Sequence, residues 1–445
     1  MNGKMINFLK PAKFIQYLPN NEIDRYYKKY RLQLFLVAYF GYMAYYFVRS
    51  TLALAKPYFI EDGLSISQVG YLGSALAVSY GLSKFIMGNI SDRSNPRYFL
   101  SLGLILSAIT NLIIPSFNSY YILFTLMLLN GWMQGMGWPP CGRIMMHWFT
   151  DSERGIKMSI WNTAHNVGAG SLPILVSVGI FIFSSWSGLF YFPAIVAILV
   201  AVLVIMFGRD TPQSVGLPPI EIYKNDYPLP EVELGLKDRE QEMTSKQILF
   251  DYVLTNKFVW YMALANVFVY CVRYGVLNWA PTYLSKVKHF SMTNSNIGFA
   301  LFEIAAIPGT ILIGWLSDKF FNGRRSPLGL ITMLLIVAGL FLYQEAKNPL
   351  IAFISLGVIG FLIYGPVMLI GVAALDLVPK KAGGTSAGFT GLFGYFFGTM
   401  GAEALMGYLI QHFGWSSGFI LLYISCFMAV FFFILTWNVH NKNKY

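Results

Sequence analysis

The sequence is 445 residues long; 56% are hydrophobic, 17% aromatic and only 12% charged, and mean hydropathy is +0.54. A soluble fold with about half the usual share of charges would expose large apolar patches and aggregate, so a chain of soluble domains is excluded and a polytopic membrane protein implied. The net charge of +11 sits in short basic clusters between apolar runs, which argues for membrane orientation and against nucleic acid as a partner.

Residues 1–32 are polar and charged, so no cleavable signal peptide is expected and the first apolar run serves as the insertion signal. A helix crosses the hydrocarbon core in about 20 residues. Read against their polar punctuation, the apolar runs predict twelve such helices, at about 33–57, 68–90, 98–117, 120–148, 157–184, 188–208, 257–285, 294–316, 327–345, 349–377, 384–411 and 415–438. Barrel strands, which are short and alternate apolar with polar, do not fit these runs. Trp138-Pro139-Pro140 predicts a kink in the fourth span, as a gating bend or as packing. The glycine-rich stretch near 388–401 reads as a close helix contact or as a hinge.

Lysine and arginine fall overwhelmingly on one side of this layout. That side takes the N-terminal cluster, Arg93 with Arg97, Arg143 with Arg154 and Lys157, the central loop, Lys319 with Arg324 and Arg325, Lys380 with Lys381, and Lys442 with Lys444. The other side has Lys56, Lys286, Lys288 and Lys347. The positive-inside rule then places both termini in the cytoplasm. Residues 209–256 are the one long polar segment, with nine acidic residues and prolines at 212, 218, 219, 228 and 230. They read as a linker ending in a short amphipathic helix over about 245–254, with Asp376 at the interface beside Lys380 and Lys381.

The two sides of that linker echo each other. Tyr46-Phe-Val-Arg49 matches Tyr270-Cys-Val-Arg273, and Gly88-Asn-Ile-Ser-Asp92-Arg93 matches Gly314-Trp-Leu-Ser-Asp318-Lys319, at offsets of about 224 and 226 residues. Parallel six-helix repeats of this kind describe the major facilitator architecture. The expected organisation is an all-α membrane protein of twelve transmembrane helices in two pseudo-symmetric halves, 1–208 and 257–445, joined by a cytoplasmic linker at 209–256.

Arg49 and Arg273 each lie inside an apolar span, where a guanidinium costs roughly 2.5–3.5 kcal/mol even on the lenient insertion scale. Tyr42, Tyr45 and Tyr46 share the helical face of Arg49, and Tyr270 stands three residues before Arg273. Neither arginine has an acidic residue within one turn, so an electropositive pocket is expected whose missing partner is an anion. Guanidinium forks suit phosphate or carboxylate. His165 in the fifth span is either a packing histidine or a donor to that anion that trades protons near neutral pH. Lys84 either snorkels or lines the inner vestibule. Glu303 and Glu403 either pair with the arginines in an empty site or couple to protons. Cys141, Cys271 and Cys426 lie in apolar stretches without disulfide or metal-ligand spacing. No nucleophile–base pair, metal-ligand cluster or phosphate-binding glycine loop accompanies the arginines, so an enzyme, a metal and a cofactor are all unexpected.

Several blocks resemble the organophosphate:phosphate antiporter family of the major facilitator superfamily, its glycerol-3-phosphate branch above all. They are Gly131-Trp-Met-Gln-Gly-Met-Gly-Trp-Pro-Pro-Cys-Gly-Arg143, Ser83-Lys-Phe-Ile-Met-Gly88 with Ser91-Asp-Arg-Ser-Asn-Pro-Arg97, Asp210-Thr-Pro-Gln-Ser214 and Phe361-Leu-Ile-Tyr-Gly-Pro-Val-Met-Leu-Ile-Gly371. The resemblance implies a bacterial inner-membrane carrier, functional as a monomer in the lipid bilayer, that imports glycerol-3-phosphate in exchange for inorganic phosphate. A hexose-6-phosphate carrier and a transporter-like sugar-phosphate sensor are the alternatives within the same family. It further implies that Arg49 and Arg273 bind the phosphate moiety with help from His165, and that Lys84, Tyr42, Tyr46, Tyr270, Glu303, Tyr364 and Tyr395 surround the pocket or its entrance. The chain departs from the branch at Ser50, where a lysine is usual, and at Asn278, where an aspartate is usual. A cation and an anion are thereby lost together, which reads as a charge pair replaced by a neutral one.

Overall fold

The computed structural model describes residues 7–225, 248–321, 324–378 and 383–438, and among them there is no strand. In chain order the α-helices are α1 (Asn20–Arg49), α2 (Thr51–Glu61), α3 (Ile66–Asp92), α4 (Pro96–Ile113), α5 (Tyr120–Gln134), α6 (Trp138–Trp148), α7 (Asp151–Asn162), α8 (Ala164–Phe183) and α9 (Gly188–Phe207). After the short α10 (Ile220–Lys224) come α11 (Lys257–Lys286), α12 (Met292–Phe321), α13 (Ser326–Glu345), α14 (Pro349–Asp376), α15 (Gly383–Phe393), α16 (Met406–Phe413) and α17 (Trp415–Leu435). Helices occupy all twelve predicted spans. Among the described residues, eight helical stretches are by themselves long and apolar enough to cross a membrane. The spans that fall short alone are the interrupted ones, 33–57, 120–148 and 384–411, and α3, which serine and glycine dilute.

The interruptions differ in form. The first breaks at Ser50, between α1 and α2. The second breaks over 135–137, just before Trp138-Pro139-Pro140 opens α6 with a proline in its first turn; a proline is tolerated there because the missing N–H is one of the helix's unpaired donors anyway. The last passes through two π-helical stretches, Gly394–Thr399 and Gly401–Leu405, of the kind often found at functional sites.

The chain divides into two compact units, one formed by residues 1–51 with 79–240 and the other by residues 52–78 with 241–445. In the first, α1 packs on α8 and α9, and α4 packs on α5 and α9. The start of the segment read as linker is firmly part of this unit: Leu217 and Ile220 are buried, and Asp210, 2% exposed, pairs with Arg143 at 3.1 Å. Asp210 also accepts from the Ala12 amide at 2.9 Å, while its carbonyl accepts from Trp148 Nε1 at 2.8 Å. Tyr27 donates to the Pro218 carbonyl, and burial pushes its phenol above the usual range, so it stays a neutral donor.

In the second unit α12 packs along α14, α14 along α13, and α11 along α17 and α14. Within the stretch where a short amphipathic helix is expected, 245–254, Ile248–Leu254 is π-helical, with Val253 buried against Val259 and Val378. The rest of the linker, 226–247, and Lys380, Lys381, Lys442 and Lys444 lie outside the described residues. Asp376 lies 3.9 Å from Arg325 Nε, and Arg325 also binds Asp318 at 2.6 Å in the second copy of the Ser-Asp repeat. In the first copy, Arg143 donates to the Asp92 carbonyl.

Candidate functional site

Arg49 owes its place to the break at Ser50. Ending α1 there frees carbonyls that an unbroken helix would satisfy, and irregular backbone inside a membrane survives only where protein groups take over those bonds. The Val48 carbonyl accepts from Asn111 Nδ2 at 2.9 Å and from Asn130 Nδ2 at 3.0 Å. Thr51 Oγ1 donates to Asn111 Oδ1 at 3.0 Å, and Ser107 Oγ donates to Asn130 Oδ1 at 2.5 Å. This buried lattice fixes the turn that carries Arg49, the last residue of α1, where the helix dipole favours a cation.

The guanidinium of Arg49 lies over the ring of Tyr80 at 3.9 Å and is 5.5 Å from that of Tyr46. Tyr46 in turn faces His165 at 5.5 Å and Tyr42 at 5.7 Å, and Tyr42 meets Trp161 at 4.9 Å. His165 is brought there by a second break, at Thr163, whose hydroxyl meets Tyr39 at 3.0 Å while Trp161 Nε1 donates to the Ala38 carbonyl at 3.1 Å. Gly168 permits the approach, because a Cβ there would run into the Met43 carbonyl. Lys84, half-buried one turn beyond Tyr80, holds its ammonium 5.4 Å from the Trp138 ring. The structure thus gathers Arg49, Tyr42, Tyr46 and His165 in one cluster and adds Tyr80, which sequence reasoning missed. Its signal was present: Tyr80 and Lys84 are four residues apart on one helical face.

In the second unit Arg273 sits in mid-α11, 4% exposed. It is surrounded by the rings of Tyr364 at 4.1 Å, Tyr274 at 4.8 Å and Tyr270 at 5.7 Å. Nη2 donates to the Tyr364 hydroxyl at 2.8 Å, and that hydroxyl donates to Glu303 Oε2 at 2.8 Å. Glu303 therefore reaches the arginine through a tyrosine. Arg273 Nε is buried without a hydrogen-bond partner, a costly arrangement that a further acceptor would relieve. Tyr395, in the first π-helical stretch, packs edge-on against Tyr270 at 5.1 Å.

Glu403 departs from expectation. It serves neither arginine; it forms an ion pair with Lys56 at 2.6 Å and accepts from Asn278 at 2.5 Å. Lys56, counted from the sequence on the less basic side at the end of the 33–57 span, is completely buried. Besides the neutral Ser50 and Asn278, the chain carries a buried ion pair on α2 and the second π-helical stretch, with Asn278 bound to its carboxylate. Among the described residues no cluster of metal-binding side chains occurs, and each arginine cluster is a cationic, aromatic-walled cradle suited to holding an anionic group.

Comparisons with known proteins identify the family. Residues 38–402 match the family model described as Major Facilitator Superfamily. The Glycerol-3-phosphate transporter of Bacillus subtilis (strain 168) is 52% identical, the match covering 99% of this chain and 100% of that one. The Glycerol-3-phosphate transporter of Haemophilus influenzae is 47% identical, over 99% and 98% of the two chains. Among solved structures, a bacterial homologue of the human lysosomal transporter Spinster, inward-facing and occupied, shares the fold with a TM-score of 0.73 at 17% identity, over 94% and 98% of the chains. The chain belongs to the Major Facilitator Superfamily and, within it, to the family of these two relatives: it is a membrane transporter, not an enzyme.

Proposed function

We propose that the protein imports glycerol-3-phosphate in exchange for inorganic phosphate, by alternating access, as a monomer in a bacterial inner membrane with both termini in the cytoplasm. Organophosphate transport is supported by the full-length similarity to two carriers named for glycerol-3-phosphate. The observation that carries the binding chemistry is the buried Arg273, whose Nε has no partner while Nη2 is held by Tyr364. Arg49 and Arg273 bind the substrate's phosphate group through their guanidinium forks. Tyr46 and His165 in the first unit, and Tyr270, Tyr364 and Tyr395 in the second, line the approach. Tyr364, restrained by Glu303, keeps the Arg273 plane oriented so that an arriving anion meets a prepared fork rather than a freely rotating side chain. A dianion satisfies charges that the empty protein must keep apart, so occupancy favours the switching state more than vacancy does.

The test is uptake of labelled glycerol-3-phosphate into phosphate-loaded proteoliposomes, with glucose-6-phosphate as competitor. Rapid uptake that resists glucose-6-phosphate and is lost in Arg49→Ala and Arg273→Ala is the expected result. Strong competition by glucose-6-phosphate would move the assignment to a hexose-phosphate carrier. Binding of sugar phosphate with no transport at all would move it to a sensor.

A further inference from the structure

Apart from the arginine clusters, the described residues of the second unit include a buried ion pair to which substrate binding gives no task. Lys56 Nζ donates to Glu403 Oε2 at 2.6 Å, and Asn278 Nδ2 donates to Glu403 Oε1 at 2.5 Å. The same ammonium lies 3.9 Å from the centre of the Trp279 ring, and Trp279 Nε1 donates to the Ala402 carbonyl at 2.8 Å. Lys56 is fully buried and Glu403 is 2% exposed. Three elements meet at this point: α2, α11 and the π-helical stretch Gly401–Leu405. A buried ion pair is no better for stability than well-packed apolar groups, and its best-attested use is to fix one arrangement against another.

The surroundings are built for close approach. Gly73 of α3 lies where a Cβ would overlap the Glu403 carboxyl, and a Cβ on Gly70 would overlap its main-chain oxygen. The other polar links between α3 and this region are Ser74 Oγ to the Met400 carbonyl at 3.3 Å, Ser67 Oγ to the Gly407 carbonyl at 3.5 Å, and the Ile66 amide to Gln411 Oε1 at 2.9 Å. None of these three involves a charge; a further ion pair of residues 52–78, Glu61 with Lys286 of α11 at 2.6 Å, is solvent-exposed, whereas Lys56–Glu403 is buried. Residues 52–78 precede the linker in sequence yet group with the unit that follows it. The geometry also accounts for Asn278: an aspartate there would set a second carboxylate 2.5 Å from Glu403 Oε1, whereas an amide donates.

We propose that Lys56 and Glu403, with Asn278 as the orienting donor, form a conformational latch that holds residues 52–78 onto the 394–413 region in one transport state and opens in the other. The latch sets the balance between states without touching substrate. Its consequence for transport rests on the alternating-access reading above. An interaction made in only one of two states shifts their populations toward that state, and removing it shifts them back.

The experiment places a reporter cysteine at Ser74, under the latch, in purified full-length protein in detergent; Cys141, Cys271 and Cys426 are all buried. A water-soluble maleimide reads opening directly, and titration with inorganic phosphate reads the substrate site. K56M/E403Q, which removes both charges at once, is expected to speed labelling roughly tenfold or more while phosphate affinity stays within about threefold. N278D is expected to speed labelling as well, by setting two carboxylates together, and N278D/E403Q to slow it again by restoring one carboxylate opposite Lys56. Unchanged labelling in both K56M/E403Q and N278D would overturn the proposal. So would a loss of phosphate affinity without faster labelling, which would make the pair part of the binding site. Failure of the wild-type protein to exchange phosphates in proteoliposomes would count against the transport reading alone and leave the labelling result standing.

Discussion

At the scale of single residues, a guanidinium offers a planar fork of donors that an ammonium lacks. Arg273 uses one nitrogen to meet Tyr364 and keeps another, Nε, buried and unpartnered, with three tyrosine rings around the plane. Lysine at 273 keeps the charge and discards the fork. Arg273→Lys is therefore expected to fold, measured as an unchanged monodisperse elution profile, and to lose about 100-fold in phosphate exchange, roughly 2.7 kcal/mol of barrier. Exchange near the wild-type rate would mean that point charge alone suffices and that the planar cradle is incidental. Both arginines were legible in the sequence because a cation inside an apolar run has no bland explanation that repeats in two halves. Tyr80 and Tyr274 were not singled out, since an aromatic side chain in a membrane span is ordinary until its neighbour is known. Lys56 was misplaced for a related reason: standing one residue before the end of the predicted 33–57 span, it looked like an interfacial lysine, and its carboxylate lies 347 positions away.

At the scale of elements, the residues proposed to act in transport stand at interruptions. Arg49 stands at the break between α1 and α2, His165 just beyond the break between α7 and α8, and Tyr395 and Glu403 in the two π-helical stretches. Each break frees backbone groups that neighbours must satisfy in a medium without water, and Asn111 and Asn130 do this for Val48. The double variant N111A/N130A leaves a buried carbonyl unpaired, a loss of about 1–3 kcal/mol for each bond removed. Its thermal unfolding midpoint in detergent should fall clearly, and uptake should fall with it as Arg49 loses its fixed turn. An unchanged midpoint would show that water or a backbone shift serves the carbonyl equally well. The proline pair announced the break before α6, because proline opens helices and is poorly tolerated within them. Nothing local announced the break at Ser50, since the asparagines that make it tolerable lie on α4 and α5.

At the scale of the whole molecule, the all-helical membrane architecture was readable from hydropathy and spacing. Bilayer thickness sets helix length. The tertiary placement of segments was not readable in the same way. Residues 52–78 group with the unit after the linker, and residues 210–220 pack into the unit before it, because contacts distant in sequence decide both. The proposed latch and the proposed phosphate clamp predict a carrier whose empty form is costly to turn over and whose loaded form is not. The most direct test compares uptake of labelled glycerol-3-phosphate into phosphate-loaded and phosphate-free proteoliposomes at equal external concentration. The account predicts uptake at least about tenfold faster with internal phosphate, corresponding to roughly 1.4 kcal/mol of barrier removed by occupancy. Equal rates with and without internal phosphate would contradict it.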